Sequence, residues 1–305
     1  MGILKQLTSM KNVLTETEAD DLSVTLSDEQ LKKLQKTLLE MFCDIYAVCK
    51  KHKIPVAFIA GSALGAVRHQ GFIPWDDDLD LSMPRAAYRR FQKVFEKELS
   101  DKYILNAPNY GGDAKARFAK IQKKDTVFEE ILDSRDKEKC KIFVDLFVLD
   151  NVPDNLLFKT LKGVTCNALE FISNTVFFYE NADVYAREYY KRAGKTGYYL
   201  RMILGRIFSF RSSARWFDLI DKCVRHPGKT KCICTPTGRK HYFGEIYEKN
   251  RLFPLQEIEF EGVMVPVYKD MDYYLTSLYG DYMTIPPVEK REKHRLKRIA
   301  FEKED

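Results

Sequence analysis

The chain has 305 residues, 45% hydrophobic, 31% charged and 13% aromatic, which excludes global disorder and allows two average domains or one large one. Fifty Lys and Arg against 44 Asp and Glu leave a formal charge of +6, too mild an excess for a nucleic-acid-binding tail. Seven cysteines, an odd number, suit reduced thiols, and no apolar run approaches the ~20 residues that span a bilayer.

Residues 1–26 read as a polar arm without periodicity. The start lacks the apolar region and cleavage site of a secretory signal, and Gln6 stands where a myristoylation motif wants Ser or Thr. The expectation is a cytoplasmic protein. Ser27-Asp28-Glu29-Gln30 is a capping box, and Leu31, Leu34, Leu38, Met41, Ile45 and Val48 then recur at helical steps. Cys43 and Cys49 fall within that helix and read as packing residues. Val56 to Ala60 is a short apolar run, read as a buried strand that ends at Gly61-Ser62. A short helix over 63–68 and a loop over 70–75 follow. Leu79, Leu81 and Met83 alternate with Asp78, Asp80 and Ser82, a strand, and Pro84 opens an amphipathic helix to about Leu99.

Further strands are expected at 103–105, 118–121, 126–131 and 141–148, with Pro153 closing the last. From about 154 to 225 the pattern is helical, basic and aromatic; after 230 short strands return. Cys232-Ile233-Cys234, with Cys223, His226 and His241 nearby, lacks the spacing and second pair of a zinc site, and reads as thiols on a short strand. The organisation is an α+β core with a helical subdomain. Its parts are an arm (1–26), a core (27–153), a basic aromatic-rich helical region (154–230), a segment packing on the core (231–295) and a charged tail (296–305).

Chemistry concentrates in Trp75-Asp76-Asp77-Asp78-Leu79-Asp80. On a strand, Asp78 and Asp80 point the same way while Leu79 and Leu81 enter the core. Adjacent carboxylates repel unless a cation lies between them, and a hard divalent cation takes such oxygens together with substrate phosphates. An EF-hand from Asp76 fails, because Leu81 and Ala87 occupy its Gly and Glu positions. An aspartyl-phosphate site fits poorly after a Pro-Trp loop; the Asp-x-Asp of a glycosyltransferase and a solvated acidic turn remain open. Context favours a metal platform for phosphoryl chemistry. A helix starting at Gly61-Ser62 offers backbone N–H groups and a hydroxyl to an anion. Asp145, charged amid Phe143, Val144, Leu146 and Phe147, is the third carboxylate unless its side chain simply points outward.

Gly61 to Asp80, read as one contiguous stretch through Arg68-His69-Gln70-Gly71-Phe72-Ile73-Pro74-Trp75, resembles the signature of the LicD family of phosphocholine transferase-like proteins, distant relatives of fukutin and the fukutin-related protein. Phe118 to Ile121, Val144 to Phe147, Phe260 to Gly262, Tyr279 to Met283 and His294 extend the resemblance across about 27–295, loosely between 154 and 240. The resemblance implies a nucleotidyltransferase-like mixed β-sheet core flanked by helices. It also implies Mg²⁺-dependent transfer (Mn²⁺ as the substitute) of a phospho-alcohol, typically phosphocholine from CDP-choline, to a hydroxyl of a cell-surface glycan or its lipid-linked precursor, releasing CMP. The alternatives are transfer of an NMP onto a sugar or phospho-alcohol, and a non-catalytic relative that binds phosphoglycans.

On that expectation Asp78, Asp80 and Asp145 are the metal-binding and catalytic carboxylates, with Asp145 either a ligand or the base for the acceptor hydroxyl. Gly61 and Ser62 seat the donor's phosphates. Arg68 and Lys120 either neutralise the leaving CMP or form surface salt bridges; His69 binds phosphate, acts as a general acid or is structural. Asp76 and Asp77 read as supporting or loop-capping groups, Trp75 as a packing lid, and no chemistry is assigned to the Tyr279–Met283 patch or His294. Between Arg187 and Arg215 eight Lys or Arg meet one acid, Glu188, among tyrosines and phenylalanines. No nucleic-acid motif accompanies them. The region is either a solvated cationic face or a contact with an anionic membrane, which would make the protein peripheral at the inner face.

Overall fold

A computed structural model describes residues 24–111, 114, 116–131, 140–182, 187–188, 195–291, 293–294 and 296–302. Most of the arm at 1–26 lies outside the described residues. Helix α1 (Asp28–Lys51) opens on the Ser27 capping box, and Leu34, Leu38, Met41, Ile45 and Val48 are buried along its inner stripe. Cys49 is buried there too, but Cys43 is exposed, a correction to its reading as a packing residue: it falls off the buried stripe.

Strand β1 (Ala57–Phe58) is shorter than the apolar run, because helix α2 (Ala60–His69) starts within it. Strand β2 (Asp80–Pro84) leads into helix α3 (Arg85–Glu98), whose Tyr88, Phe91 and Phe95 are buried. Strands β3 (Tyr103–Asn106), β4 (Ala119–Lys123), β5 (Val127–Glu130) and the long β6 (Phe143–Val152) follow. The helical region holds α4 (Leu156–Asn181), α5 (Lys195–Phe208) and α6 (Ser213–Val224). Then come β7 (Cys232–Cys234), the short α7 (His241–Gly244), β8 (Ile246–Glu248), α8 (Lys249–Leu252), β9 (Gln256–Phe260), β10 (Val263–Val267), α9 (Met271–Tyr279) and β11 (Leu296–Ala300).

The sheet order is β1-β2-β6-β4-β3, with β7 on the far end of β6 and β8 beyond it. Only β2 and β6 run parallel in this sheet; the other neighbours are antiparallel. The result is a curled, mixed α+β core flanked by helices, the architecture that the resemblance implies. The main core joins α1, α2, α3 and the sheet with α9 and the β9–β10 ladder. A smaller core under α4, α6, β7 and α7 centres on Cys166, Phe217, Ile220 and Tyr242. At the junction Arg85 grips Asp150 with two nitrogens and Asp221 with a third, tying α3, β6 and α6 together.

Cys232 and Cys234 stand on β7 as expected. The charged tail is corrected in part: Leu296–Ala300 pairs antiparallel with β5, and Leu296 is fully buried. Its apolar residues, Leu296 and Ile299 on either side of a register shift, were hidden from a reading of charge alone.

Candidate active site

In a pleated sheet, residues paired across neighbouring strands point to the same face. Asp80 on β2 pairs with Asp145 on β6, and Asp145 pairs with Lys120 on β4. These three side chains therefore form one transverse row. The next row, Leu81, Leu146 and Ala119, is wholly buried and faces the other side. Fold topology thus gathers groups that lie 25 to 65 positions apart in the chain.

Lys120 Nζ lies 3.8 Å from Asp145 Oδ1, 3.7 Å from Glu130 Oε2 and 3.3 Å from the centre of the Phe143 ring. Asp145 Oδ1 is buried without a hydrogen-bond partner. Burial, helped by the Asp78 charge and opposed by Lys120, raises the Asp145 carboxyl to about 6.

Asp78 does not share a regular strand with Asp80, a correction to the sequence expectation. β2 begins at Asp80, although the Asp145 N–H already donates to the Leu79 carbonyl at 2.9 Å. The preceding turn is held from outside, where the Gln35 amide donates to the Asp76 and Ile73 carbonyls. This frees Asp78 from strand alternation. Its Oδ2 lies 3.9 Å from His294 Nδ1.

At the start of α2 the Ser62 hydroxyl accepts the Asp80 N–H at 2.8 Å. The Ala60 N–H is taken by the Tyr274 hydroxyl at 3.1 Å, and the Ala63 N–H by the Ile59 carbonyl. By helix geometry the Gly61 and Ser62 N–H groups have no intrahelical acceptor. A Cβ at Gly61 would fall 2.9 Å from Asp76 Oδ2, so glycine permits this approach of carboxylate to helix start. That oxygen is also buried without a partner. Burial, then Asp78, Asp80 and Asp77, hold the Asp76 carboxyl well above its ordinary range.

Asp77 and His294 form the site's strongest pair. The Asp77 carboxylate accepts from His294 Nδ1 at 2.8 Å and from its backbone N–H at 3.0 Å. His294 Nε2 lies 3.7 Å from Glu130, and the rings of Phe128 and Phe143 stand edge-on to the imidazole. Burial works against the imidazolium, but Asp77, Glu130 and Asp78 outweigh it and raise His294 to about 10. Tyr279 adds a hydroxyl pushed upward by burial and by Asp80, with Arg239 opposing from 5.9 Å off its ring.

Arg68 is turned to the chain itself. It donates to the Tyr282 carbonyl at 2.7 Å, anchoring the loop after α9, and its Nε donates to His69 Nε2 at 3.0 Å. His69 is therefore an acceptor at Nε2, with burial and Arg68 holding its pKa down. Trp75 is half-buried under the Arg291 guanidinium, 4.0 Å from its ring.

Among the described residues, one trio has ligand atoms all within 4.8 Å of one another: Asp77, Asp78 and His294. Both Asp77 oxygens are engaged by His294, and that pairing satisfies charge without a cation. The Asp76 and Asp145 oxygens that lack hydrogen-bond partners, beside Asp78 and Asp80, form an all-oxygen donor set whose members repel one another. That chemistry suits a hard divalent cation. Sequence reading left Asp77 as support and His294 without a role. The contact joins positions 217 apart, and no local pattern announces it.

Comparison with known proteins agrees with this geometry. The family model described as "LicD/FKTN/FKRP, nucleotidyltransferase domain" matches residues 53–160, a span that includes Gly61, Ser62, the acidic turn, Lys120 and Asp145. The chain is 29% identical over 285 residues to the lipopolysaccharide cholinephosphotransferase LicD of Haemophilus influenzae, covering 90% of this chain and 97% of that one. It is 44% identical over 66 residues to an uncharacterised protein of Rickettsia prowazekii, and 38% over 77 residues to one of Rickettsia typhi, each across a quarter of that protein. The acidic turn thus stands inside a segment that matches the LicD-type nucleotidyltransferase domain, and the chain is similar to a LicD protein along nearly its whole length.

Proposed function

We propose that the protein transfers a phospho-alcohol, phosphocholine in the first instance, from a CDP-alcohol to a hydroxyl of a cell-surface glycan or its lipid-linked precursor, releasing CMP. The observation that carries this reading is the row Asp80–Asp145–Lys120 beside the Gly61-Ser62 helix start. It sets two carboxylates, Asp145 with a buried oxygen that lacks a hydrogen bond, next to backbone donors suited to phosphate. The Haemophilus relative, a lipopolysaccharide cholinephosphotransferase matched along nearly its whole length, supports the transferred group and the acceptor class.

Asp78, Asp80 and Asp145 would hold Mg²⁺, with Mn²⁺ as a substitute. A bound divalent cation neutralises a pyrophosphate and makes the phosphorus more open to attack. The chain's own groups do the positioning. Gly61 and Ser62 present backbone N–H groups to the donor's phosphate, while the Ser62 hydroxyl fixes the backbone of Asp80. Lys120 supplies positive charge beside Asp145, held in place by Glu130 and the Phe143 face. The Asp77–His294 pair locks the acidic turn against the C-terminal segment. Phe118, just before β4, and Phe147, two residues beyond Asp145 on β6, stack at 4.5 Å, a surface suited to the cytosine ring.

Release of CMP from CDP-choline, with and without Mg²⁺, tests the reading in the wild-type chain and in Asp80→Asn. Mg²⁺-dependent release that falls by about 100-fold in the variant is expected. Undiminished turnover in Asp80→Asn would sink the metal assignment, and a panel of CDP-alcohols fixes the alcohol. Release of pyrophosphate from a nucleoside triphosphate instead of CMP would move the protein to NMP transfer, the chemistry that the domain's description names.

A further inference from the structure

Helix α4 presents one face to two different environments. At 100° per residue, Leu157, Leu161, Val164, Ala168, Thr175 and Tyr179 fall within about 60° of one another. The far end of this face is covered. A Cβ on Gly205 would lie 2.4 Å from the Thr175 carbonyl and from Tyr179 Cβ, so α5 rests directly upon it. Toward the start of α4 the same face is bare: Leu157, Leu161 and Val164 are exposed, Leu161 by 63%. The opposite face, with Gly163 and Cys166, already packs against Tyr242, Phe243 and the smaller core.

Helix α5 repeats the pattern on its outer side. Tyr199, Ile203 and Ile207, spaced by four, are each more than half exposed, and Phe210 just beyond the helix is 75% exposed. Scattered surface apolar residues are ordinary, but stripes on two adjoining helices are not. Charge sets this face apart as well. Residues 155–169 and 195–215 contain seven Lys or Arg and no Asp or Glu. Arg206, Arg211 and Arg215 are exposed, whereas Lys162 is turned inward to the carbonyls ending α6.

We propose that the first turns of α4 and the outer side of α5 seat this protein on an anionic lipid bilayer, lying in the headgroup layer. No described helix is long and apolar enough to cross a membrane. An anionic bilayer satisfies both properties of the face, taking the apolar stripe into the acyl boundary and meeting the cations with lipid phosphates. A second copy of the chain would set two acid-free cationic faces against each other, and Coulomb repulsion opposes that. The inference does not depend on the reaction proposed above.

Flotation of the full-length chain with vesicles at physiological salt is the test, comparing phosphatidylcholine alone with phosphatidylcholine plus phosphatidylglycerol. The chain is expected to float only with the phosphatidylglycerol vesicles and to be released as salt rises. The triple variant Leu161→Glu, Ile203→Glu, Phe210→Glu should weaken binding by roughly tenfold or more, with an unchanged melting temperature because all three side chains face solvent. Should that variant misfold, the reversal Arg206→Glu, Arg211→Glu keeps the apolar stripe and should abolish the preference for phosphatidylglycerol. No flotation of the wild-type chain, or equal flotation of the substituted chains, overturns the proposal. So does sedimentation showing a dimer that the triple variant dissociates, which would assign the face to a second copy.

Discussion

Ser62 ties the start of one helix to the first residue of the acidic strand. Its hydroxyl accepts the Asp80 N–H inside the protein, so Ser62→Ala leaves that donor buried and unpaired. The expected cost is about 1–3 kcal/mol in urea unfolding, with a fall in CMP release as Asp80 shifts. Asp145 should behave in the opposite sense. Its Oδ1 is buried without a hydrogen-bond partner, and Lys120 at 3.8 Å offsets only part of the burial. In metal-free protein above the raised pKa of Asp145, Asp145→Asn removes a charge that burial disfavours and should raise stability by on the order of 1–3 kcal/mol. Turnover of CDP-choline should fall about 100-fold or more in the same variant. A variant that is both less stable and fully active would show that Asp145 is a structural ion-pair residue.

At the scale of elements, the candidate site depends on a strand that contributes none of its side chains. β11 pairs with β5 from Leu296 to Ala300, and His294 stands two residues before that ladder. Pairing of β11 therefore fixes where the imidazole meets Asp77 and Glu130, while β5 carries Glu130 itself. Leu296 is the buried anchor of the strand, and Leu296→Ala should cost about 2–5 kcal/mol through lost packing and the cavity left behind. The informative readout is CMP release measured well below the new melting temperature. A drop there means that β11 holds His294 in register; normal turnover means that the Asp77–His294 pair forms without it.

At the scale of the whole molecule, polar contacts bind the helical layer to the sheet. Glu170 of α4 accepts from His241 Nδ1 at 2.6 Å and pairs with Arg117 at 3.0 Å, ahead of β4. The hydrogen bond to Glu170 raises the His241 pKa, although burial and Arg117 oppose it. A histidine with a raised folded-state pKa stabilises fully below its unfolded value of about 6.5 and loses that contribution as pH rises through the folded value. The stability difference between wild type and His241→Gln should therefore be largest below the unfolded value and shrink as pH rises through the raised folded-state value. Thermal melts across that range read it directly, and a difference independent of pH would assign the contact to the neutral imidazole.

Local signals in the sequence determined much of this protein. Capping at Ser27, helical periodicity in α1 and α3, alternation in β2 and the apolar setting of Asp145 each act within a few residues, so a linear reading recovers them. The Gly61-to-Asp80 stretch marked the acidic turn and the LicD-type domain for the same reason. Tertiary structure alone decided which charges meet. The parallel β2–β6 pairing aligned Asp80 with Asp145, and strand β11 brought His294 to Asp77 across 217 positions. It also decided that α5 covers only one end of the apolar face of α4. Periodicity fixes which way a side chain points on its own element, but long-range packing decides what lies opposite it.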